Sequence, residues 1–209
     1  MRESCDVRAL DVPAPGTFAS TAQALGVAGR RAIYVGYSMG GRLCLRLALD
    51  QPELVRGLML ISASPGIVDA GERAARVDAD EVLAESIERD GVHAFLERWL
   101  AQPMFAGVPA DAPGLTDRRR LTREFLASCL RRLGTGTMEP MWHRLGELNM
   151  PVMLVSGTND EKFTLIAHRM LERMHPGVRH VQLDGGHALP LEQPAVLGGL
   201  ITAFATEHG

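Results

Sequence analysis

Short apolar runs alternate along the chain with longer amphipathic stretches. Four of these runs are typical of buried β-strands, namely residues 32–36, 58–61, 152–155 and 180–183. Residues 7–12 are predicted as a further short strand, and helices are predicted over residues 17–25 and 39–50. Continuous apolar strands separated by helices indicate a parallel sheet covered on both faces. The pattern therefore predicts an open α/β fold, in which ligands bind at the carboxyl ends of the strands.

Residues 64–148 interrupt this alternation, because they contain helical patterns and no convincing strand. Helices are predicted over residues 71–90, 91–101, 117–133 and 139–148. We interpret residues 64–148 as a helical cap inserted between two strands, and residues 1–63 and 149–209 as the core of one domain.

Composition narrows the class of protein. A chain of 209 residues with 46% hydrophobic and 22% charged residues can bury a substantial core, which excludes a disordered chain and a small disulfide scaffold. No apolar run is long enough to cross a membrane, and the first six residues lack the apolar segment of a signal peptide. The cysteines, which form no paired pattern, are typical of a reducing cytoplasm: Cys5, Cys44 and Cys129.

Charge and motif content exclude several partners. A net charge of −3 is unfavourable for general binding to nucleic acid. No glycine-rich phosphate loop follows the first strand, and the histidines lack the spacing of zinc ligands. The sequence thus predicts neither a cofactor nor a metal.

A G-x-S-x-G motif, centred on Ser38, stands between a predicted strand and a predicted helix. The flanking Gly36 and Gly40 would permit a tight turn that exposes the serine hydroxyl above the sheet. The amide of Met39, at the start of the helix, could donate a hydrogen bond to a developing oxyanion.

A serine hydroxyl needs a base, and that base needs an acid to orient it. Asp160 follows the strand over residues 152–155, and His187 follows the last predicted strand. Both therefore lie at the edge of the sheet where Ser38 is expected. The order Ser–Asp–His is the one found in nucleophile-elbow enzymes, so we expect Ser38, Asp160 and His187 to form a catalytic triad.

The chain resembles the α/β-hydrolase superfamily, and within it the 2-succinyl-6-hydroxy-2,4-cyclohexadiene-1-carboxylate synthases of menaquinone biosynthesis. The segments that carry the likeness are residues 37–42, 62–67, 72–76, 97–105, 133–136 and 160–163. The resemblance implies a cofactor-free lyase with a small polycarboxylate substrate, in which Ser38 acts as general base and pyruvate is eliminated.

Several residues are expected to hold that substrate. Arg42 lies four residues beyond Ser38 and so on the same helix face, unless it pairs with a surface acid instead. The resemblance adds cap arginines at Arg76 and, within an arginine triplet of uncertain register, Arg118. Trp99 and Phe105 could be apolar walls of the pocket or packing residues of the cap. Tyr37, next to the nucleophile, could place its hydroxyl in the pocket or pack at the strand end.

The likeness does not extend to the start of the family pattern. Roughly the first 50–60 residues, including a His-Gly loop that supplies a second oxyanion amide, have no counterpart, so we expect an N-terminally shortened α/β-hydrolase fold. A truncated reading frame and a naturally shortened variant both fit. Either would leave the strand at residues 32–36 with an apolar edge that favours self-association, unless it pairs with residues 7–12.

Two other functions stay open at the level of sequence. A serine hydrolase would use Ser38 as a covalent nucleophile on small esters, thioesters or C–C bonds, and it would need a working oxyanion hole. An inactive fold that serves as a binding or oligomeric scaffold would keep the triad without turnover.

Overall fold

The computed structural model describes residues 6–109, 112 and 121–209. The strands are β1 (Ala32–Tyr37), β2 (Val55–Ile61), β3 (Val152–Gly157) and β4 (Arg179–Leu183). The helices are α1 (Phe18–Gly29), α2 (Met39–Asp50), α3 (Ala70–Leu100), α4 (Arg123–Leu133), α5 (Glu161–Leu171), α6 (Leu189–Glu192) and α7 (Pro194–His208). Within these residues, no helix is long and apolar enough to cross a membrane.

The described strands form one parallel sheet in the order β1-β2-β3-β4. Alternate residues of the central strands point to opposite faces: Leu58 and Leu60 join one core cluster, while Met59 and Ile61 join another. Helices α1, α2 and α5 contribute to the first cluster, and Phe204 of α7 belongs to the second. The sheet is therefore buried on both faces, as its continuous apolar strands predicted. The predicted α/β fold is confirmed.

The prediction of a strand at residues 7–12 is wrong, because residues 6–12 have no regular secondary structure. Val7 is 82% exposed, while Val12 packs against the core, so this segment lies along the surface and does not enter the sheet. In the part of the chain that the structure describes, β1 pairs only with β2 and forms one end of the sheet.

Helices α3 and α4 lie between β2 and β3 in the chain, and their positions partly differ from the prediction. Helix α3 spans both predicted helices, and the backbone of Gly91, at φ 85° and ψ 168°, separates its two halves. Residues 139–148 contain a 3₁₀ helix, Trp142–Glu147, where an α-helix was expected. Buried Ile87, Phe95 and Leu96 of α3 pack against α4.

The turn from β1 to α2 brings two backbone segments unusually close together. A Cβ atom at Gly36 would lie 2.6 Å from the backbone of Gly40 and Gly41, and one at Gly41 would lie 2.6 Å from the Cβ of Ala63. A Cβ at Gly40 would meet nothing within 4 Å. The close approach therefore requires glycine at positions 36 and 41, and the expectation that Gly40 serves the turn in this way is not supported by the packing.

Substitution of Gly36 and of Gly40 should distinguish a glycine that the packing requires from one that it does not. We expect Gly36→Ala to lower the free energy of unfolding by about 1–3 kcal/mol, because the new methyl group overlaps backbone that cannot move independently. Gly40→Ala should leave the stability unchanged or raise it by up to about 1 kcal/mol, since alanine is favoured within a helix. Urea unfolding followed by circular dichroism measures both; equal losses would contradict the packing argument.

Candidate active site

Three polar side chains meet at the carboxyl edge of the sheet. Ser38 lies between β1 and α2, and its backbone adopts φ 49° and ψ −110°, a conformation that non-glycine residues rarely adopt. Its amide donates a hydrogen bond to the carbonyl of Ile61, at the end of β2, over 2.9 Å. Asp160 directly precedes α5 after β3, and His187 follows β4. The ends of three strands thus bring together residues that are far apart in sequence.

The three side chains form a chain of hydrogen-bonding contacts. Nδ1 of His187 lies 2.8 Å from Oδ2 of Asp160, and Nε2 of the same ring lies 3.4 Å from Oγ of Ser38. Asp160 and His187 are both buried. The carboxylate can therefore hold the imidazole with Nε2 directed at the serine, an arrangement that suits proton transfer from Ser38.

Aromatic rings enclose the imidazole of His187. The ring of Phe163 lies 4.5 Å away between centroids, that of Tyr37 lies 5.4 Å away, and that of Phe105 approaches edge-on at 6.2 Å. Phe105 also contacts Trp99, at 6.0 Å between centroids. These rings limit the orientations of the imidazole and keep bulk water from it. Trp99 and Phe105 line the cavity and also pack with each other.

Arg42 lies on α2 and is buried, so the alternative of a surface ion pair does not apply. Its Nη1 donates a hydrogen bond over 2.8 Å to the carbonyl of Leu133, at the end of α4, and lies 3.4 Å from the sulfur of Met138. Burial and the nearby Arg76 lower the pKa of Arg42 to about 10, whereas Asp80 acts in the opposite direction. The guanidinium therefore stays charged at neutral pH.

Arg76 is held by an acid one helical turn further along α3. Its Nε donates to Oδ1 of Asp80 over 2.9 Å. The other oxygen of Asp80, Oδ2, is buried and has no hydrogen-bond partner among the residues described. Burial raises the pKa of Asp80, while the charge and hydrogen bond of Arg76 act to lower it. Asp80 thus binds Arg76 directly and acts electrostatically on Arg42, a role that sequence reasoning missed although the i, i+4 spacing from Arg76 could have indicated it.

One cavity joins these groups. It is lined by Ser38, Met39, His187, Tyr37, Arg42, Arg76, Trp99 and Phe105, together with Lys162 and Arg169. Its volume of about 2370 Å³ exceeds the roughly 300–1,000 Å³ of a typical small-molecule site, so a substrate of that size fits together with water. Met39 is the first residue of α2, and its amide is one of those that a helix leaves without an internal acceptor. The predicted Arg118 lies outside the described residues.

Comparisons with known proteins agree with this geometry. The sequence model of the alpha/beta hydrolase family matches residues 4–198. A protein of Bacillus subtilis (strain 168), provisionally assigned as a 2-succinyl-6-hydroxy-2,4-cyclohexadiene-1-carboxylate synthase, is 36% identical over 82% of this chain. The enzyme of that name from Serratia proteamaculans (strain 568) is 30% identical over 84% of this chain. The chain spans 65% and 68% of the lengths of these two relatives.

The structural comparison points the same way. The solved structure of MenH from S. aureus superimposes with a TM-score of 0.87 at 26% identity, covering 95% of this chain and 82% of the other. The family match over nearly the whole chain, together with the parallel sheet and the serine in the turn after β1, leads to one conclusion. The chain belongs to the alpha/beta hydrolase family, and it is similar within that family to the 2-succinyl-6-hydroxy-2,4-cyclohexadiene-1-carboxylate synthases.

Proposed function

We propose that the protein is a cofactor-free lyase of menaquinone biosynthesis that eliminates pyruvate from a cyclohexene polycarboxylate. The observation that carries the proposal is the hydrogen-bonded chain of Ser38, His187 and Asp160. Ser38 and His187 line the same cavity as the buried guanidinium of Arg42 and as Arg76. The names of the relatives given above supply the product class, a 2-succinyl-6-hydroxy-2,4-cyclohexadiene-1-carboxylate, and the elimination of pyruvate is what the family resemblance implies.

The reaction begins with a proton transfer. His187 accepts the hydroxyl proton of Ser38, and the resulting imidazolium is balanced by Asp160. The serine oxygen then takes a proton from a ring carbon of the substrate. The electrons of that C–H bond form a new C=C bond in the ring, and the C–O bond to the pyruvyl group breaks with its electron pair on the departing enolate. That enolate takes up the proton held on His187 and leaves as pyruvate, which restores the neutral imidazole. The 3.4 Å separation between Nε2 of His187 and Oγ of Ser38 supports this role, since such contacts shorten when substrate binds.

Charge complementarity supports a substrate with several carboxylates. Arg76 uses Nε for Asp80, and within the described residues the terminal nitrogens of its guanidinium have no hydrogen bond, so they can bind a substrate carboxylate. We assign Arg42, and Arg118 by family resemblance, to the same task. Residues 64–148 act in this proposal as the cap over the site.

The remaining expected residues fit around the reacting atoms. The Met39 amide stabilises developing negative charge on oxygen, and Tyr37 places its hydroxyl beside the substrate. Trp99 and Phe105 form an apolar part of the cavity wall.

We further propose that the protein self-associates through β1. This strand forms one end of the sheet, and Val35 on it is 37% exposed. Exposed backbone donors and acceptors on such a strand favour pairing with another chain.

Replacement of Ser38 tests the proposed reaction. We expect Ser38→Ala to lower kcat for pyruvate release from the pyruvyl-ether substrate by about 10²–10⁴-fold, because the proton acceptor is lost. Ser86→Ala is the matched control, since among the described residues its hydroxyl bonds only the carbonyl of Leu83 on α3. Fluorophosphonate labelling of Ser38 with p-nitrophenyl ester turnover, and no release of pyruvate, would instead identify a serine hydrolase.

Removal of one cavity cation tests the substrate class. We expect Arg76→Ala to raise KM by about 10–100-fold, since a hydrogen bond to a charged group contributes roughly 1.5–3 kcal/mol. Arg89→Ala serves as control, because Arg89 lies on the same helix, is exposed and pairs with Asp90. Steady-state kinetics measure both variants, and an unchanged KM in Arg76→Ala would argue against carboxylate binding at this position.

The oligomeric proposal has its own test. Light scattering across a concentration series should show a rising mean mass for the unmodified chain, and Val35→Lys should lower that mass, because charge on an end strand opposes pairing. A constant monomer mass for both proteins would eliminate self-association through β1.

A further inference from the structure

A carboxylate outside the triad, that of Glu192, accepts hydrogen bonds from both sides of the loop that carries His187. Oε2 of Glu192 accepts a hydrogen bond from the amide of Gly186 over 2.6 Å, and Oε1 accepts one from the amide of Ala188 over 2.9 Å. The two amides belong to the residues immediately before and after His187. Both oxygens of one side chain are thus used to fix the backbone on either side of the imidazole.

The surroundings leave this carboxylate little freedom. A Cβ atom at Gly107 would overlap Oε2 of Glu192, and one at Gly186 would lie 3.2 Å from Oε1. Glycine at these two positions therefore leaves the space that the carboxylate occupies. Phe105, two residues before Gly107, is the ring that approaches His187 edge-on. The carboxylate accordingly lies where the segment after α3 meets the histidine loop.

A second contact fixes the other side of the same loop. The amide of Asn159 donates a hydrogen bond to the carbonyl of Gly185 over 2.8 Å, which joins the loop to the segment that carries Asp160. Gly185 has φ 147°, so the loop turns sharply just before the histidine. Asn159 sets the distance of the loop from the aspartate segment, and Glu192 sets the direction in which the backbone of His187 faces.

We propose that Glu192 is a positioning residue that holds His187 with Nδ1 on Asp160 and Nε2 on Ser38. It does not touch the reacting atoms, and the inference rests on the proposed function for its kinetic consequence. Because proton transfer is sensitive to displacements of about 1 Å, a loosened loop slows the chemical step. Substrate affinity is unaffected, since the arginines that bind carboxylates lie on other elements.

The test replaces one oxygen of the Glu192 carboxylate by a group that cannot accept a hydrogen bond. In Glu192→Gln the amide nitrogen cannot accept from a backbone N–H, so one of the two hydrogen bonds is lost. We expect kcat to fall about 10–100-fold with KM within about twofold of the unmodified chain. The control is Glu53→Gln, an exposed residue outside the cavity, which should leave both constants unchanged.

A second readout does not depend on turnover. The proton between Nδ1 of His187 and Asp160 should give a low-field ¹H NMR resonance, assigned by its absence in His187→Gln. In Glu192→Gln we expect this resonance to broaden or disappear, because a mobile loop lets the proton exchange with water. If the unmodified chain releases no pyruvate, the proposed function fails, while the resonance still decides the role of Glu192.

Thermal unfolding separates positioning from a general loss of structure. If Glu192→Gln is unfolded at the assay temperature, Glu192→Asp is measured in its place, because it keeps the charge but is too short to span both amides. A folded variant with unchanged kcat and an unchanged resonance would overturn the proposal. A lowered melting temperature with both of these readouts unchanged would overturn it as well, since Glu192 would then be only structural.

Discussion

The site depends on the close approach between the end of β1 and the first turn of α2. The backbone at Gly36 nearly touches that at Gly40 and Gly41, and this contact forces Ser38 into a backbone conformation with positive φ. The hydrogen bond from the Ser38 amide to Ile61 ties this strained turn to β2, a central strand. The surrounding sheet supplies the stability that holds the turn in place. Asp160 and His187 reach the serine only because the carboxyl ends of neighbouring parallel strands share one edge.

Burial makes the charged groups in the cavity interact more strongly than they would in water. Arg42 and Arg76 would repel each other in a site partly closed to water, and the buried carboxylate of Asp80 offsets part of that repulsion. Arg42 also bonds the end of α4 through the carbonyl of Leu133. Helix α2, which begins directly after Ser38, is therefore joined to α4. Binding of an anionic substrate would add the negative charge that this group of residues still lacks.

Sequence patterns predicted the elements that have regular periodicity and missed those that depend on tertiary contacts. The strands and the turn at Ser38 could be predicted because apolar runs and glycine spacing are local signals. Residues 7–12 have a strand-like composition, but no strand of the described sheet pairs with them, and Val7 lies in solvent. Glu192 was missed for a related reason, because only the folded chain brings its carboxylate to the backbone amides that it binds. Asp80 was missed although its spacing from Arg76 is a local signal, because the sequence does not show that Asp80 is buried.

The two tryptophans of the chain occupy very different surroundings. Trp99 lines the cavity and stacks on Phe95 at 5.5 Å between centroids. Trp142 is buried, donates its indole N–H to the carbonyl of Gly66 over 2.7 Å, and has the guanidinium of Arg169 4.8 Å above its ring. Both rings nevertheless line the same cavity. Occupation of that cavity is therefore expected to change the intrinsic fluorescence of the chain.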